Sequence, residues 1–263
     1  MPETDLDLLI AAARESGDIA KTYFGNRPQV WDKADNAGPV TAADLAVNEM
    51  LERELQRARP AYGWLSEETE DHSARLDTDS LFVVDPIDGT RAFIEGSHDW
   101  AHSIAVVKDG IVTAGVVYVP MRDLMFTATL GGGAFLNGEK LQTSATAELA
   151  DATVLSSKVN FEGRFWRDGK TPLAKRHFRS SLAYRLSLVA QARFDAMLTL
   201  RPTWEWDIAA GALMVAEAGG TVTTHCGGPL KFNNPVPNVA GVVAAGPVHA
   251  DLVAGIAPLA PSA

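Results

Sequence analysis

Two carboxylates three residues apart, Asp85 and Asp88, stand in the stretch LFVVDPIDGTRAF, residues 81 to 93. The apolar run from Leu81 to Val84 ends at the first of them, and Pro86 and Gly89 shape a turn around the second. Four further acids sit at the ends of apolar segments: Asp44, Glu67, Glu68 and Asp207. A charge in such a place is costly to desolvate, and acids gathered at strand ends repel one another unless cations hold them. Oxygen ligands with water in the remaining positions are what Mg²⁺ takes. Two such ions close together would clamp a phosphate and lower the pKa of a bound water. The backbone amides of Gly89 and Thr90 could then receive phosphate oxygens. The Thr90 hydroxyl, beside a carboxylate such as Asp44, could orient or deprotonate the water. That chemistry is metal-assisted hydrolysis of a phosphate ester.

Each residue also has a plain structural reading. Asp85-Pro86-Ile87-Asp88-Gly89 is ordinary turn chemistry, and Thr41 with Asp44 is nearly a capping box. Glu67 and Glu68 read equally as solvated charge at a strand end. Asp207 reads as an acid favourable to the dipole at the start of its helix. Spacing alone leaves both readings open, because convergence in space is not visible along a chain.

The elements that must position these acids are legible from periodicity. Leu6, Leu9, Ile10, Ala13 and Ile19 predict an amphipathic helix over residues 5–24. A second helix should start after Thr41 as N-cap, bury Leu45, Val47, Met50, Leu51 and Leu55, and close at Pro60. YGWLS reads as a short strand delivering Glu67 and Glu68. HSIAVV, IVTAGVVYV and LMFTATL predict an antiparallel sheet, with tight turns at Lys108-Asp109-Gly110 and Asn137-Gly138. ATVLSSK and FDAMLTL read as strands, and FRSSLAYRLSLVAQA as a strand end or loop leading into a helix. WDIAAGALMVAEAGG predicts a helix stopped at Gly219-Gly220, VAGVVAAG a buried strand, and HADLVAGIAPL a terminal helix. Without repeats or a flexible linker, this is an α/β pattern of sheets layered with helices.

Bulk properties narrow the partners. The 263 residues, 46% hydrophobic and 21% charged, suffice for one large unit or two closely packed halves. A net charge of -10 argues against direct nucleic-acid binding and raises a puzzle for an anionic substrate, which metal ions would resolve. The single Cys226 excludes an internal disulfide framework and fits a reducing cytoplasm; in THCGG it reads as a small buried or turn residue. No signal peptide or membrane-length apolar run is expected. His98 and His102, four apart across Trp100, read as structural.

The blocks WLSEET, DPIDGTRAF and WEWDIAAGALMVAEAGG, in this order, resemble the signature blocks of the inositol monophosphatase superfamily. KADNAGPVTAADLAVN resembles the block preceding them, and the similarity runs from about Leu6 to Gly246. The resemblance implies a layered αβαβα sandwich and a Mg²⁺-dependent, often lithium-sensitive and often dimeric phosphomonoesterase of small phosphorylated metabolites. It is expected to be one phosphatase unit, with an α+β half over residues 1–148 and an α/β half over 149–263. Carried over by position, Glu67, Asp85 and the Ile87 carbonyl would bind a first metal. Asp85, Asp88 and Asp207 would bind a second, and Glu67 would help hold a third through water. Thr90 paired with Asp44 would activate the water, and Gly89 and Thr90 would receive the phosphate. Glu68 would stand behind the ligand glutamate, and Lys33 would reach the metals from a mobile loop.

Substrate expectations follow from the same resemblance. Inositol-specific relatives place a glutamate seven residues before the last metal aspartate, and here that position is Leu200. RPTWEWDIAAG and SSLAYRLSLVA look more like adenosine bisphosphate phosphatases, although LAYRL also resembles histidinol phosphatases. Arg185 and Arg201 are then candidates for a second phosphate, since Arg forks match phosphate geometry. Trp204 is a candidate for stacking on a base, or else for rim packing. The leading expectation is a nucleotidase acting on 3'-phosphoadenosine 5'-phosphate, with inositol 1-phosphate or histidinol phosphate as alternatives. From another class, some bacterial relatives act as binding partners of the transcription machinery.

Overall fold

The structure is a computed structural model and describes residues 3–26, 28–32 and 38–258. Helix α1 (Asp5–Tyr23) begins at a capping box in which Thr4 and Asp7 each accept the other's backbone N–H. The ribbon of β1 (Val30–Asp32) and β2 (Pro39–Thr41) leads into α2 (Ala42–Ala58). There Thr41 and Asp44 complete a full capping box, so the near-box legible in the sequence is realised. Leu45 differs from expectation: it lies on the outer side of α2 and is 43% exposed.

Seven strands follow in sequential order: β3 (Gly63–Ser66), β4 (Ser80–Asp88), β5 (Ala101–Lys108), β6 (Ile111–Val119), β7 (Leu124–Thr129), β8 (Gly133–Leu136) and β9 (Glu139–Lys140). The short helix α3 (Thr90–Ile94) interrupts them after β4. Only β3 and β4 pair in parallel; the other neighbours are antiparallel. Asp109 and Gly110, and again Asn137 and Gly138, adopt positive φ as tight hairpin turns require.

The second half contributes β10 (Thr153–Leu155), β11 (Lys175–His177), α4 (Leu182–Ala190), β12 (Ala196–Thr199), β13 (Thr203–Trp204), α5 (Glu205–Glu217), β14 (Thr221–Thr223), β15 (Asn238–Val239), β16 (Val242–Ala245) and α6 (His249–Gly255). Its five-stranded sheet runs β11-β10-β12-β16-β14, while β13 and β15 pair separately.

Alternation along the strands sorts the core into layers. Phe82 and Val84 pack with Leu9, Val47 and Leu51 of α1 and α2. Leu81 and Val83 share a core with Leu186 of α4, Ile208 of α5 and Met197 of β12. On the far side, Val154, Leu198 and Val243 pack with Leu252 of α6. The order is therefore α1/α2, seven-stranded sheet, α4/α5, five-stranded sheet, α6: the expected αβαβα sandwich. Burial on both faces explains why LFVV reads as continuously apolar rather than alternating. A Cβ on Gly211 would come within 2.6 Å of Leu186 Cβ, so the absence of one lets α5 approach α4 closely. No helix among the described residues is long and apolar enough to cross a membrane.

Candidate active site

The acids converge where β3, β4 and α5 end or begin. Glu67 follows β3 and extends its pairing, its N–H donating to the Val84 carbonyl at 3.1 Å, which sets it beside Asp85. Asp207 enters from the first turn of α5. Carboxylate oxygens of Glu67, Asp85 and Asp207 lie within 4.8 Å of one another. Asp88 lines the same cavity but falls outside that triad. Although its apolar run ends at Val84, strand β4 continues to Asp88 across a register shift against β5, where Pro86 has no N–H to give the ladder.

Asp85 is 2% exposed, and its Oδ1 is buried with no hydrogen-bond partner. Burial, followed by the charges of Glu67, Asp88 and Asp207, raises its pKa well above the usual carboxylate value. Asp88 is pushed up to about 6 by burial, against the opposing pull of its donors Ser181 and Ala183 and of nearby Arg185. An orphaned buried oxygen among mutually repelling carboxylates, with no nitrogen or sulfur ligand in the group, fits a hard cation.

Thr90 Oγ1 stands 3.3 Å from Asp44 Oδ1 and 3.1 Å from the Ile87 carbonyl. The other oxygen of Asp44 accepts from the Thr41 N–H at 2.9 Å and from the Thr41 hydroxyl at 2.5 Å. Asp44 is thus capping acid and Thr90 partner at once, so its two readings from the sequence are compatible. Gly89 has φ 99°, which a residue with Cβ rarely adopts, and an added Cβ would stand 3.3 Å from the Asp99 carbonyl.

The cavity of about 340 Å³ over the acids is lined by Gly89, Thr90, Arg201, Trp204 and Trp206 as well. A second chamber of about 460 Å³ shares Glu67, Gly89, Thr90 and Arg201 and adds Arg91 and Phe178. The rings of Trp204 and Trp206 stack with centroids 4.9 Å apart and 10° between planes. Trp204 is still 44% exposed. Glu68 stands half-buried beside Glu67, its N–H donating to Ser66 Oγ at 3.3 Å. Lys33 lies outside the described residues.

Arg185, expected as a candidate for a second phosphate, has partners within the protein. It is buried at the start of α4, where its Nε donates to the Arg179 carbonyl at 2.6 Å and its guanidinium lies 4.5 Å from the centre of the Phe178 ring. Neither chamber is lined by it. The bend before α4 needs that guanidinium for its own carbonyls, which leaves Arg201 as the arginine of the earlier pair on the cavity wall.

Sequence reasoning missed Ser181 and Ala183, whose hydroxyl and N–H each donate to Asp88 Oδ2 at 2.6 Å. The visible signal was a serine immediately before the apolar run LAYRLSLVA, the pattern of an N-cap. It also missed Glu205, which accepts the N–H groups of Asn233 and Asn234 at 2.7 and 2.9 Å and so ties a distant loop to the start of α5. Cys226 is an exposed turn residue.

Residues 1–260 match the inositol monophosphatase family. An inositol-1-monophosphatase of Rhizobium meliloti is 34% identical over 245 residues, 88% of this chain and 90% of that protein. The Nus factor SuhB of Salmonella typhimurium is 36% identical over 236 residues, 85% of this chain and 86% of its own. Among solved structures, the Thermotoga maritima IMPase is similar with a TM-score of 0.81 at 30% identity, covering 95% of each chain. With the acids, the layers and the order of the blocks in agreement, the chain belongs to the inositol monophosphatase family of metal-dependent phosphatases, which act on phosphate monoesters.

Proposed function

We propose that the chain is a Mg²⁺-dependent phosphomonoesterase whose substrate is 3'-phosphoadenosine 5'-phosphate, released as AMP and phosphate. The observation that carries the substrate reading is the Trp204–Trp206 stack beside Arg201 in the same cavity as the acids. One face of Trp204 is taken by Trp206, and the exposed remainder suits a planar base. Arg201, shared by both chambers, suits a second phosphate.

In this reading Glu67, Asp85 and the Ile87 carbonyl would hold one ion, and Asp85, Asp88 and Asp207 would hold another, with Glu67 assisting a third. Bound magnesium would supply positive charge against the phosphate oxygens and acidify water. The Thr90 hydroxyl passes its own proton to Asp44 as it takes up one from the attacking water. The Gly89 and Thr90 amides receive the phosphate oxygens. Water oxygen bonds to phosphorus, the ester P–O bond breaks, and the leaving alkoxide takes a proton from a second water, whose hydroxide is neutralised by the proton that Asp44 then releases.

Two other readings have a specific observation behind them. The Rhizobium meliloti relative is an inositol-1-monophosphatase by name, which favours inositol 1-phosphate. Against it, Leu200 stands where a ring-binding glutamate would be needed and is 6% exposed within an apolar core. The Salmonella typhimurium relative is a Nus factor, which favours a protein partner in transcription beside catalysis.

Steady-state rates on a panel of phosphomonoesters, with and without Mg²⁺, test the proposal. The adenosine bisphosphate should be turned over fastest and only with metal. Faster hydrolysis of inositol 1-phosphate or histidinol phosphate would overturn the ranking.

A further inference from the structure

Strand β5 supplies none of the clustered acids, yet two of its successive side chains reach the elements that do. The β4–β5 ladder pairs Asp85 with Ser103 and Asp88 with Ala101, so Pro86 and Ile87 together face the single residue His102. Such a bulge leaves backbone groups without ladder partners, and a buried carbonyl left alone is costly. His102 Nδ1 meets the Pro86 carbonyl. A carbonyl only accepts, so Nδ1 carries the proton and donates, while Nε2 is buried without a partner. Burial lowers the His102 pKa to about 4, consistent with a neutral ring. Trp100, edge-on at 5.5 Å, and Tyr118 at 6.3 Å flank that ring.

The next residue points through the other face of the sheet. Ser103 Oγ donates to the Trp206 carbonyl at 2.9 Å, the carbonyl of the peptide bond leading into Asp207. His102 and Ser103 are both buried. One strand thus holds the turn between Asp85 and Asp88 with one side chain and the entry to Asp207 with the next.

We propose that His102 and Ser103 are positioning residues that set the spacing between the Asp85–Asp88 turn and Asp207, and so the affinity of the carboxylate cluster for its cation. The proposal rests on the metal-site reading above. Removing a group that orients a ligand typically weakens metal binding by about 10- to 100-fold.

Calorimetric titration of MgCl₂ into metal-stripped protein tests it, alongside metal-free melting temperatures. His102→Leu and Ser103→Ala should each weaken magnesium binding by about tenfold or more. His102→Asn, whose amide N–H can stand near the place of Nδ1–H, should recover most of that affinity. Ser156→Ala removes a buried hydroxyl that donates to the Leu198 carbonyl in the other sheet, and should lower the melting temperature without changing magnesium affinity. Ser103→Ala deletes one oxygen and carries the test if His102→Leu does not fold. Unchanged magnesium affinity in folded Ser103→Ala, or an equal loss in Ser156→Ala, overturns the proposal. If Asp85→Asn abolishes binding while His102→Leu and Ser103→Ala retain it fully, the metal site stands and the positioning role falls. Undetectable magnesium binding by the unsubstituted protein removes both.

Discussion

Ser181 Oγ donates to Asp88 Oδ2 at 2.6 Å while accepting the N–H of Tyr184 at 2.9 Å. The cap of α4 is therefore also a partner of a site carboxylate, and the Ala183 N–H adds a second donor. This explains why Asp88 reaches only about 6 while Asp85, with an orphaned oxygen, is raised well above its usual value. Ser181→Ala should cost about 1–2 kcal/mol as a lost cap. It should also move the Asp88 pKa further up and raise the magnesium concentration needed for half-maximal rate. Thermal melting and a magnesium titration of activity check the two effects separately.

Thr90 and Asp44 should behave as one unit. Thr90→Ala should lower kcat by about 10²- to 10⁴-fold, the usual worth of a proton-transferring group. Thr90→Ser should keep much of the rate. Asp44→Asn should lose a similar amount, and the double variant should be scarcely worse than either single one. Independent, additive losses would show that the 3.3 Å contact has no catalytic use. Melting temperatures are needed beside the rates, because Asp44 also caps α2.

The pH dependence of metal-free stability has a defined sign at Asp88. Its native pKa is raised from 3.8 to about 6, so its contribution is fully present below pH 3.8 and is lost as pH rises through about 6. The full swing is at most about 3 kcal/mol. His102, lowered to about 4, runs the other way in the same window, so a bare stability curve would mix the two. The difference between the unsubstituted protein and Asp88→Asn isolates the carboxyl. Asp88→Asn should gain relative stability from about pH 4 to pH 6 and hold it above. A difference that stays flat across that window would show that Asp88 is not a destabilised buried acid.

How legible the site was depends on the range of each interaction. Asp85, Asp88 and Thr90 lie within one turn, and the apolar strand before them is read directly because β4 is buried on both faces. Thr41 and Asp44 were equally local, three residues apart on a helix start. The layer order came from resemblance, since no periodicity says which sheet a helix covers. The bond from Ser181 to Asp88 joins residues far apart in sequence and could not be inferred from either segment. The surroundings of Arg185 are hard to read for a related reason. Its residue type suits phosphate, but its partners are set by the bend before α4, which composition does not encode. The contact of His102 depends on a bulge visible only once β4 and β5 are paired.

Arg185 and Arg201 should now separate in kinetics. Arg201→Ala should raise KM for a bisphosphate substrate by about tenfold or more, the loss of a charge-assisted pair, with less effect on a monophosphate. Arg185→Ala should act on stability, since it leaves the Arg179 carbonyl without its donor and empties a buried site beneath Phe178. Melting curves and KM values for the two substrates distinguish these outcomes. A large selective KM effect from Arg185→Ala, with Arg201→Ala silent, would reverse the assignment.

Leu200 offers the sharpest check on the substrate. It packs with Val243, Leu198 and Leu252 in the outer core and is 6% exposed. If the missing glutamate were all that separated this chain from inositol specificity, Leu200→Glu would raise turnover of inositol 1-phosphate. The packing argues otherwise, because a carboxylate introduced there must either be buried unpaired or pull the end of β12 outward. Leu200→Glu should therefore destabilise the protein by about 2–4 kcal/mol and leave the ratio of inositol 1-phosphate to adenosine bisphosphate hydrolysis unchanged or lower. Differential scanning calorimetry gives the first quantity and kcat/KM on the two substrates gives the second. A stable variant with improved inositol 1-phosphate hydrolysis would mean that residue 200 can reach the cavity, and the inositol reading would then take precedence.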